Sequence, residues 1–350
     1  MSKLKKFSAV TVIIVTYNSC DYIKRCITLL LKYISERDEV IVVDNGSYDS
    51  TISILNEFES KIKLIINEKN AGYAGGNNLG VLNAKNDFIL FMNPDVEVTD
   101  GFLEDLQVCL NEDNVVAVQP LVLISGKEKI INLTGKSLHF TGLEWCTNCL
   151  LNYDAVDLRK SYIDAISGSC FLVKKDVYMN SGGFDDEYFM YGEDSDLSWR
   201  LRAMGYKLVF CPSSIVFHDY KFLVNKKNLS LKIKFYYLER NRLINILTNY
   251  QLSTLVILFP ALILTEVGIC IYSILNGLLL SKIKGYLFLI THLDYLHKRR
   301  MRINNARIVS DRNLLETAKF SVEFGMFDGF GIRFFNLFWK LYWRLVKPLI

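Results

Sequence analysis

Four short apolar runs, residues 10–15, 39–43, 63–66 and 88–92, punctuate the first part of the chain, and each stops abruptly in polar or turn-forming residues. Apolar runs of this length without strict alternation suit strands buried on both faces. Between the first two lies a segment, 21–32, in which Ile23, Ile27, Leu30 and Leu31 recur at helical spacing. After the second, Ser50 stands where a helix over 51–58 would take its N-cap. This rhythm predicts right-handed βαβ units in a parallel sheet. Ligands of such sheets sit at the carboxyl ends of the strands, so the residues closing each run are the ones to examine for function.

The first run closes on Thr16, Tyr17, Asn18 and Ser19, and the Tyr17 ring can stack on a base. The second closes on Asp44, whose carboxylate can accept from a base N–H or a ribose hydroxyl. The third leads to NAGYAGGNNLG at 70–80, where Gly72, Gly75 and Gly76 would let backbone N–H groups approach an anion. A plain loop is the competing reading of that stretch. The fourth run ends at Asn93, Pro94 and Asp95. Pro94 cannot continue a strand, so a carboxylate is delivered at the strand's carboxyl end. By itself this is either an ordinary turn or a hard oxygen ligand for a divalent cation on a diphosphate. A dinucleotide-dependent oxidoreductase is disfavoured, because TYNSC follows the first run where GxGxxG is needed.

Further along, residues 115–119 predict another strand, 125–157 read as hairpins or a mobile loop, and strand-like sequence resumes at 163–173. The densest polar cluster follows at 182–196, GGFDDEYFMYGEDSD, and opens into a helix with Leu197, Leu201 and Met204 on its apolar face. Helix capping accounts for one or two of Glu193, Asp194 and Asp196. Three acids in so short a span, after Asp185, Asp186 and Glu187, repel one another unless metal, proton or substrate compensates. A carboxylate there can act as a general base toward a hydroxyl. A last strand at 207–211 precedes His218, either a polar strand-end residue or, with Asp95, a metal ligand.

The net charge of +4 conceals an asymmetry: residues 1–225 carry 22 Lys and Arg against 30 Asp and Glu, whereas 226–350 carry 19 against 7. Residues 252–280 contain a single charge, Glu266, together with Pro260 and Gly268. An acid and a proline sit badly in a lipid-facing span, so a broken, re-entrant or interface-lying helix pair is expected, with a buried soluble pair as the alternative. From 330 onward Phe334, Phe335, Phe338, Trp339, Tyr342 and Trp343 alternate with Arg333, Lys340, Arg344 and Lys347, a mixture typical of a membrane interface. So much aromatic and aliphatic bulk favours anionic lipid over nucleic acid as partner. The eight cysteines are scattered, mostly in apolar runs, as reduced thiols in a cytoplasmic setting would be. The Cys146/Cys149 pair lacks the second pair a zinc site needs. The N-terminus runs straight into a strand without a cleavage site, so no signal peptide is expected.

Six segments carry a family resemblance: VIIVTYNS (12–19), VVDNGSYDST (42–51), NAGYAGGNNLG, FMNPDVEV (91–98), SGSCFLVKKDV (167–177) and GGFDDEYFMYGEDSDLSWRLRAMGY (182–206). In order and spacing the chain resembles the inverting glycosyltransferases of family 2, especially their rhamnosyltransferase-like branch. YYLERNRL (236–243) also resembles the segment after the catalytic domain in that branch. The resemblance implies an α/β GT-A fold, a Rossmann-like, mostly parallel sheet flanked by helices, with a helical, membrane-associating C-terminal region. It implies a catalytic domain at 1–225, split into a nucleotide-sugar half (1–100) and an acceptor half (101–225), and a basic helical region at 226–350. By position, Asp44 and Tyr17 would contact the base, Asp95 would be the metal acid of a DxD-like motif, and Asp194, beside Glu193, the catalytic base. His218 would complete Mg²⁺ or Mn²⁺ binding. Asn93 replaces the first acid of DxD, so fewer charged ligands are available. The implied partners are a nucleoside-diphosphate sugar, a glycan or polyprenyl-diphosphate-linked acceptor, and the cytoplasmic face of a membrane. A non-catalytic nucleotide-sugar-binding or assembly protein of the same fold is the rival.

Overall fold

The four apolar runs become β1 (Val10–Thr16), β2 (Glu39–Asp44), β3 (Lys63–Ile66) and β4 (Phe88–Met92), all mutually parallel, in a computed structural model that describes residues 7–219, 229–322 and 330–350. Helices α1 (Ile23–Tyr33), α2 (Thr51–Asn56) and α3 (Gly72–Asn83) connect them. The order β3-β2-β1-β4 means that the chain winds outward from β1 and then crosses back to pair β4 on its other side. A reversal of this kind opens a crevice at the strands' carboxyl ends, where Tyr17 follows β1 and Asp95 follows β4. Ser50 precedes α2 as expected, but it makes no capping bond; Asp49 Oδ1 accepts from Thr51 N at 2.9 Å instead.

Next come β5 (Val96–Val98), α4 (Phe102–Leu110), β6 (Val115–Ile124) and β7 (Lys127–Leu133), then a hairpin of β8 (Lys136–Leu138) and β9 (Glu144–Cys146). After β10 (Ser161–Tyr162), β11 (Cys170–Lys174), α5 (Lys175–Asn180) and α6 (Glu193–Ala203), β12 (Lys207–His218) completes a ten-stranded sheet. Its second half is mixed, because β11 runs antiparallel to β4 and β6 while β6 and β12 are parallel. The expected strand at 207–211 continues through an irregularity between Cys211 and Ile215, and this extension carries His218 to its position.

The glycine-rich stretch is a helix in which the glycines allow close packing. A Cβ on Gly76 would approach Val15 Cγ1 at 2.7 Å, one on Gly80 would approach Ile13 Cγ2 at 2.5 Å, and Gly72 lies against the backbone of Phe189 at φ +70°. Two of the first helical N–H groups already have protein acceptors: Gly72 N donates to Asn70 Oδ1 at 2.8 Å and Ala74 N to Phe189 O at 3.2 Å. Gly80→Ala should therefore destabilise the fold despite its better helix propensity. Overpacking costs about 1–3 kcal/mol against a gain of about 1 kcal/mol, so urea unfolding should show a lower midpoint.

The chain divides into two compact units, one of Met1–Gly135, Cys146–Phe189 and Tyr206–Tyr220, the other of Lys136–Trp145, Met190–Gly205 and Lys221–Ile350. The first holds the sheet. The second adds to β8–β9 and α6 the helices α7 (Leu229–Asn249), α8 (Leu252–Leu275), α9 (Leu279–Thr291), α10 (Leu293–Ala306), α11 (Asp311–Leu314) and α12 (Phe330–Val346). Its core gathers Phe140, Trp199, Tyr250 and Leu258 with Trp339 and Trp343 of α12. Trp343 stacks on Phe140 with centroids 4.6 Å apart, and Trp339 meets the same ring edge-on at 5.7 Å. The aromatic tail thus separates by residue: its two tryptophans are 4% and 5% exposed, while Phe338, Lys340 and Arg344 face solvent. The side chains of Arg333, Phe334 and Phe335 lie outside the described residues.

The lone acid of the apolar stretch has partners. Glu266 pairs with Arg242 and, at 2.8 Å, with Lys282, which also reaches Glu239 at 2.7 Å; Tyr286 Oη donates to Glu266 at 2.6 Å. Burial alone would raise the Glu266 carboxyl, but Arg242 and Lys282 outweigh it and hold the group near 2. Lys282→Met would leave two carboxylates sharing one guanidinium. Removing one member of a buried ion pair costs about 3–5 kcal/mol, which calorimetry should register as a lower melting temperature.

Candidate active site

At the carboxyl ends of the first unit's strands, β5 runs antiparallel to β12 with His218 opposite Val96, and that register brings the imidazole beside Asp95. Nε2 lies 3.2 Å from Asp95 Oδ1, a buried oxygen that accepts no hydrogen bond. On the other side of the ring, Nδ1 is 2.9 Å from Asn132 Oδ1. An amide oxygen only accepts, so Nδ1 carries the hydrogen and Nε2 is the ring nitrogen turned toward Asp95. A cation or a proton can bridge these two atoms. This donor set, one carboxylate and one imidazole oriented by an outer amide, suits a divalent ion that takes its remaining ligands from a substrate. No cluster of three or more His, Cys, Asp or Glu side chains suited to a metal occurs among the described residues. Asp95 also lines a cavity of about 280 Å³ with Asp21, Arg25, Glu97, Ser125 and Asp219.

Around the ends of β1 and β2, Asp44 is fully buried and organises the turn after β2. Its Oδ1 accepts from Gly46 N at 3.1 Å and Ser47 N at 2.8 Å, and its Oδ2 from Ser47 Oγ at 2.5 Å. Tyr17 and Tyr48, 45% and 82% exposed, meet edge-to-face at 6.0 Å and offer open ring faces beside this turn. Asn93 N is bound to Ser169 O at 2.9 Å, which fixes the start of the Asn-Pro-Asp turn.

In the second unit, two successive residues of positive φ, Tyr191 at 66° and Gly192 at 84°, set the start of α6. Asn241 Nδ2 donates to Met190 O at 3.0 Å and Tyr191 O at 2.6 Å, and Asn245 donates to Gly192 O at 3.3 Å, so α7 supports the strained turn. The three acids have three separate environments. Asp196 is fully buried, paired with Arg200 at 2.9 Å and with Arg299, and accepts from Asn249 at 3.0 Å. Asp194 pairs at 2.6 Å with Lys136, whose ammonium also contacts Glu144 at 3.0 Å and Ser195 Oγ at 3.3 Å. Glu193 is buried and its Oε2 has no hydrogen-bond partner. Burial, and then repulsion from Asp194, push its carboxyl up to about 8 against the pull of Lys136. The expected repulsion is thus met by three cations and a proton. The acids before the turn are also engaged, since Asp186 accepts from Asn78 at 2.6 Å and Asp185 from Glu187 N at 3.2 Å. Asn132, Lys136 and Glu144 were absent from the sequence-based set, because nothing in their neighbouring residues marks them, and Tyr48 was passed over within the VVDNGSYDST segment.

A family model, "Glycosyl transferase family 2", matches residues 11–181. That stretch is a family 2 glycosyltransferase domain. The domain and the names of its relatives make the chain a glycosyltransferase. A Mycobacterium tuberculosis relative named N-acetylglucosaminyl-diphospho-decaprenol L-rhamnosyltransferase is 27% identical, with 59% of this chain and 75% of the relative covered. The Escherichia coli rhamnosyltransferase WbbL is 27% identical over 67% of this chain and 95% of the relative. Two solved structures share the fold. GalNAc-T7 with UDP, GalNAc and Mn²⁺ has a TM-score of 0.58, 17% identity and coverage of 71% of this chain and 49% of that one. The mannosyltransferase PcManGT of Pyrobaculum calidifontis, with GDP-Man and Mn²⁺, has 0.53, 13%, 99% and 87%. The fold is therefore GT-A.

The raised Glu193 carboxyl makes stability depend on pH. Between its unfolded value near 4.5 and its folded value near 8, only the folded state holds this proton, so the native protein loses stability as pH rises through that window. Glu193→Gln, which mimics the protonated group, should show a shallower decline in melting temperature from pH 5 to pH 9, measured by scanning calorimetry.

Proposed function

We propose that this glycosyltransferase moves a sugar, with inversion, from a nucleoside-diphosphate donor to a hydroxyl of a polyprenyl-diphosphate-linked glycan acceptor, on the cytoplasmic face of a membrane, during cell-envelope polysaccharide synthesis. Rhamnose is the favoured sugar, on the names of the mycobacterial and E. coli relatives, and dTDP-rhamnose is the donor proposed for it. The observation that carries the reading is the pairing of Asp95, which follows β4 at the sheet reversal, with His218, whose Nε2 lies 3.2 Å from Asp95 Oδ1.

Asp95 and His218 would hold Mg²⁺ or Mn²⁺. When bound, the ion supplies charge neutralisation on the diphosphate leaving group. Asn132 keeps the imidazole oriented for that task. Tyr17, with Tyr48 beside it, offers a ring face to the base, and Asp44 preserves the shape of the turn beneath them. Gly76 and Gly72 contribute by letting α3 approach β1 and the Phe189 backbone closely, and Gly75 lies beside Asp186. Asn93 sets the turn that presents Asp95. Asp194 takes the proton from the acceptor hydroxyl as that oxygen attacks the anomeric carbon from the face opposite the leaving group. Lys136 fixes the orientation of its carboxylate, and Glu193 stays protonated beside it at neutral pH.

Asp194→Asn should lower transfer by about 10²–10⁴-fold while donor affinity stays within about twofold of native. Nucleotide release with a lipid-linked acceptor fraction, paired with titration calorimetry of the donor, measures both quantities. Loss of donor binding instead would remove Asp194 as the base, and turnover of no nucleotide sugar in a panel with Mg²⁺ or Mn²⁺ would favour the non-catalytic rival.

A further inference from the structure

Helix α8 of the second unit has two unlike sides along its whole length. Thr254, Leu258, Ala261, Thr265 and Ser273 are buried, from the first turn to the last, and Glu266 turns into the ion network with Arg242 and Lys282. On the opposite side Val256, Phe259, Ile263, Val267, Ile271 and Ile274 are exposed at intervals of three and four residues, forming a continuous apolar stripe. The flanking helices widen it. Cys270 of α8 and Tyr286 of α9 are in contact at 3.4 Å, and α9 exposes Ile283, Leu287 and Ile290. On the other flank Tyr342 Oη of α12 donates to Ile257 O at 2.8 Å, and α12 exposes Leu341 and Leu345. An apolar surface of this breadth calls for a partner.

The charges indicate which partner. Among the described side chains of these three helices, the exposed charged residues are Lys284, Lys340 and Arg344, all cationic, and the one acid, Glu266, is held in the ion network. A second copy meeting this face with its own like face would set cation against cation, whereas anionic headgroups complement it. Crossing a bilayer is opposed by the inner side, since a spanning α8 would carry Glu239, Arg242, Glu266 and Lys282 toward the hydrocarbon centre.

We propose that α8 lies in the plane of an anionic membrane, sunk along its outer stripe without crossing, with Lys284, Lys340 and Arg344 at headgroup level. The proposal rests on the lipid-linked acceptor reading and deepens it by naming the surface that meets the lipid and its orientation. It also places the main attachment on α8, since the two tryptophans of α12 are committed to the core.

The test uses the full chain with phosphatidylglycerol-rich vesicles. The triple variant Val256→Asn, Ile263→Asn, Val267→Asn should bind about a hundredfold more weakly while its circular dichroism and its transfer to a detergent-solubilised acceptor match the native protein. Lys340→Gln with Arg344→Gln should weaken binding mainly at low salt. Depth is read from Phe259→Trp and Ile271→Trp, made singly, by the gain in quenching each shows over native protein with lipids brominated at different acyl positions. These sites are about 18 Å apart along the axis, so equal depths support the in-plane helix and depths differing by most of that length overturn it. Native protein that ignores the vesicles, or a triple variant that turns a dimer into a monomer with lipid binding intact, also overturns it. Failure of transfer in detergent by native protein would count against the acceptor reading alone.

Discussion

The reversal at β1 is the constraint on which the sheet-bearing unit depends. A strand with parallel neighbours on both sides has to release its chain to opposite flanks, and the crevice this leaves is open at the carboxyl ends. Residues that close the strands then meet without being near in sequence. Asp95 follows β4 directly, yet its partner arrives more than a hundred residues later at the end of β12. A slip of one residue in the β5–β12 register would turn His218 to the other face. The geometry of the pair is therefore a property of the sheet, which explains why a proline can sit beside it: Pro94 ends β4 where the ladder is no longer needed.

The second unit is governed by charge compensation. It buries Glu193, Asp194, Asp196, Arg200, Glu239, Arg242, Lys282, Arg299 and Asp311, a large polar load for helices packed on aromatic residues. Ion pairs meet most of it, and a raised carboxyl meets the rest. Such networks are weak contributors to net stability but severe about partner loss, which ties the orientation of α6 to the hairpin bearing Lys136 and Glu144 and to Arg299 on α10.

How much of this could be read beforehand differs by kind of signal. The four parallel strands were legible because each is a bounded apolar run, and the GT-A fold followed from motifs in order. The extent of β12 was not, because Pro212, Ser213 and Ser214 look like a strand's end and the sheet carries the strand through them as an irregularity. The glycines of 70–80 were legible as special positions, but their neighbours, Ile13, Val15 and Phe189, are supplied only by the fold. Asp95 and His218 were named together from their strand-end positions, and the family resemblance assigned the metal role; the outer partner Asn132 sits in β7, in a stretch that reads as hairpins or a mobile loop. Lys136 was likewise hidden, one lysine among many until the hairpin brings it to Asp194. The tail's tryptophans read as interfacial because composition cannot show which side of a helix is covered.

All four tryptophans, Trp145, Trp199, Trp339 and Trp343, belong to the helical unit, and the sheet-bearing unit has none. Intrinsic indole emission is therefore an optical signal from one half of the molecule. Unfolding followed by that emission describes the helical unit alone, while far-ultraviolet dichroism sums both halves. Disagreement between the two curves would measure how independently the units melt, with no label attached.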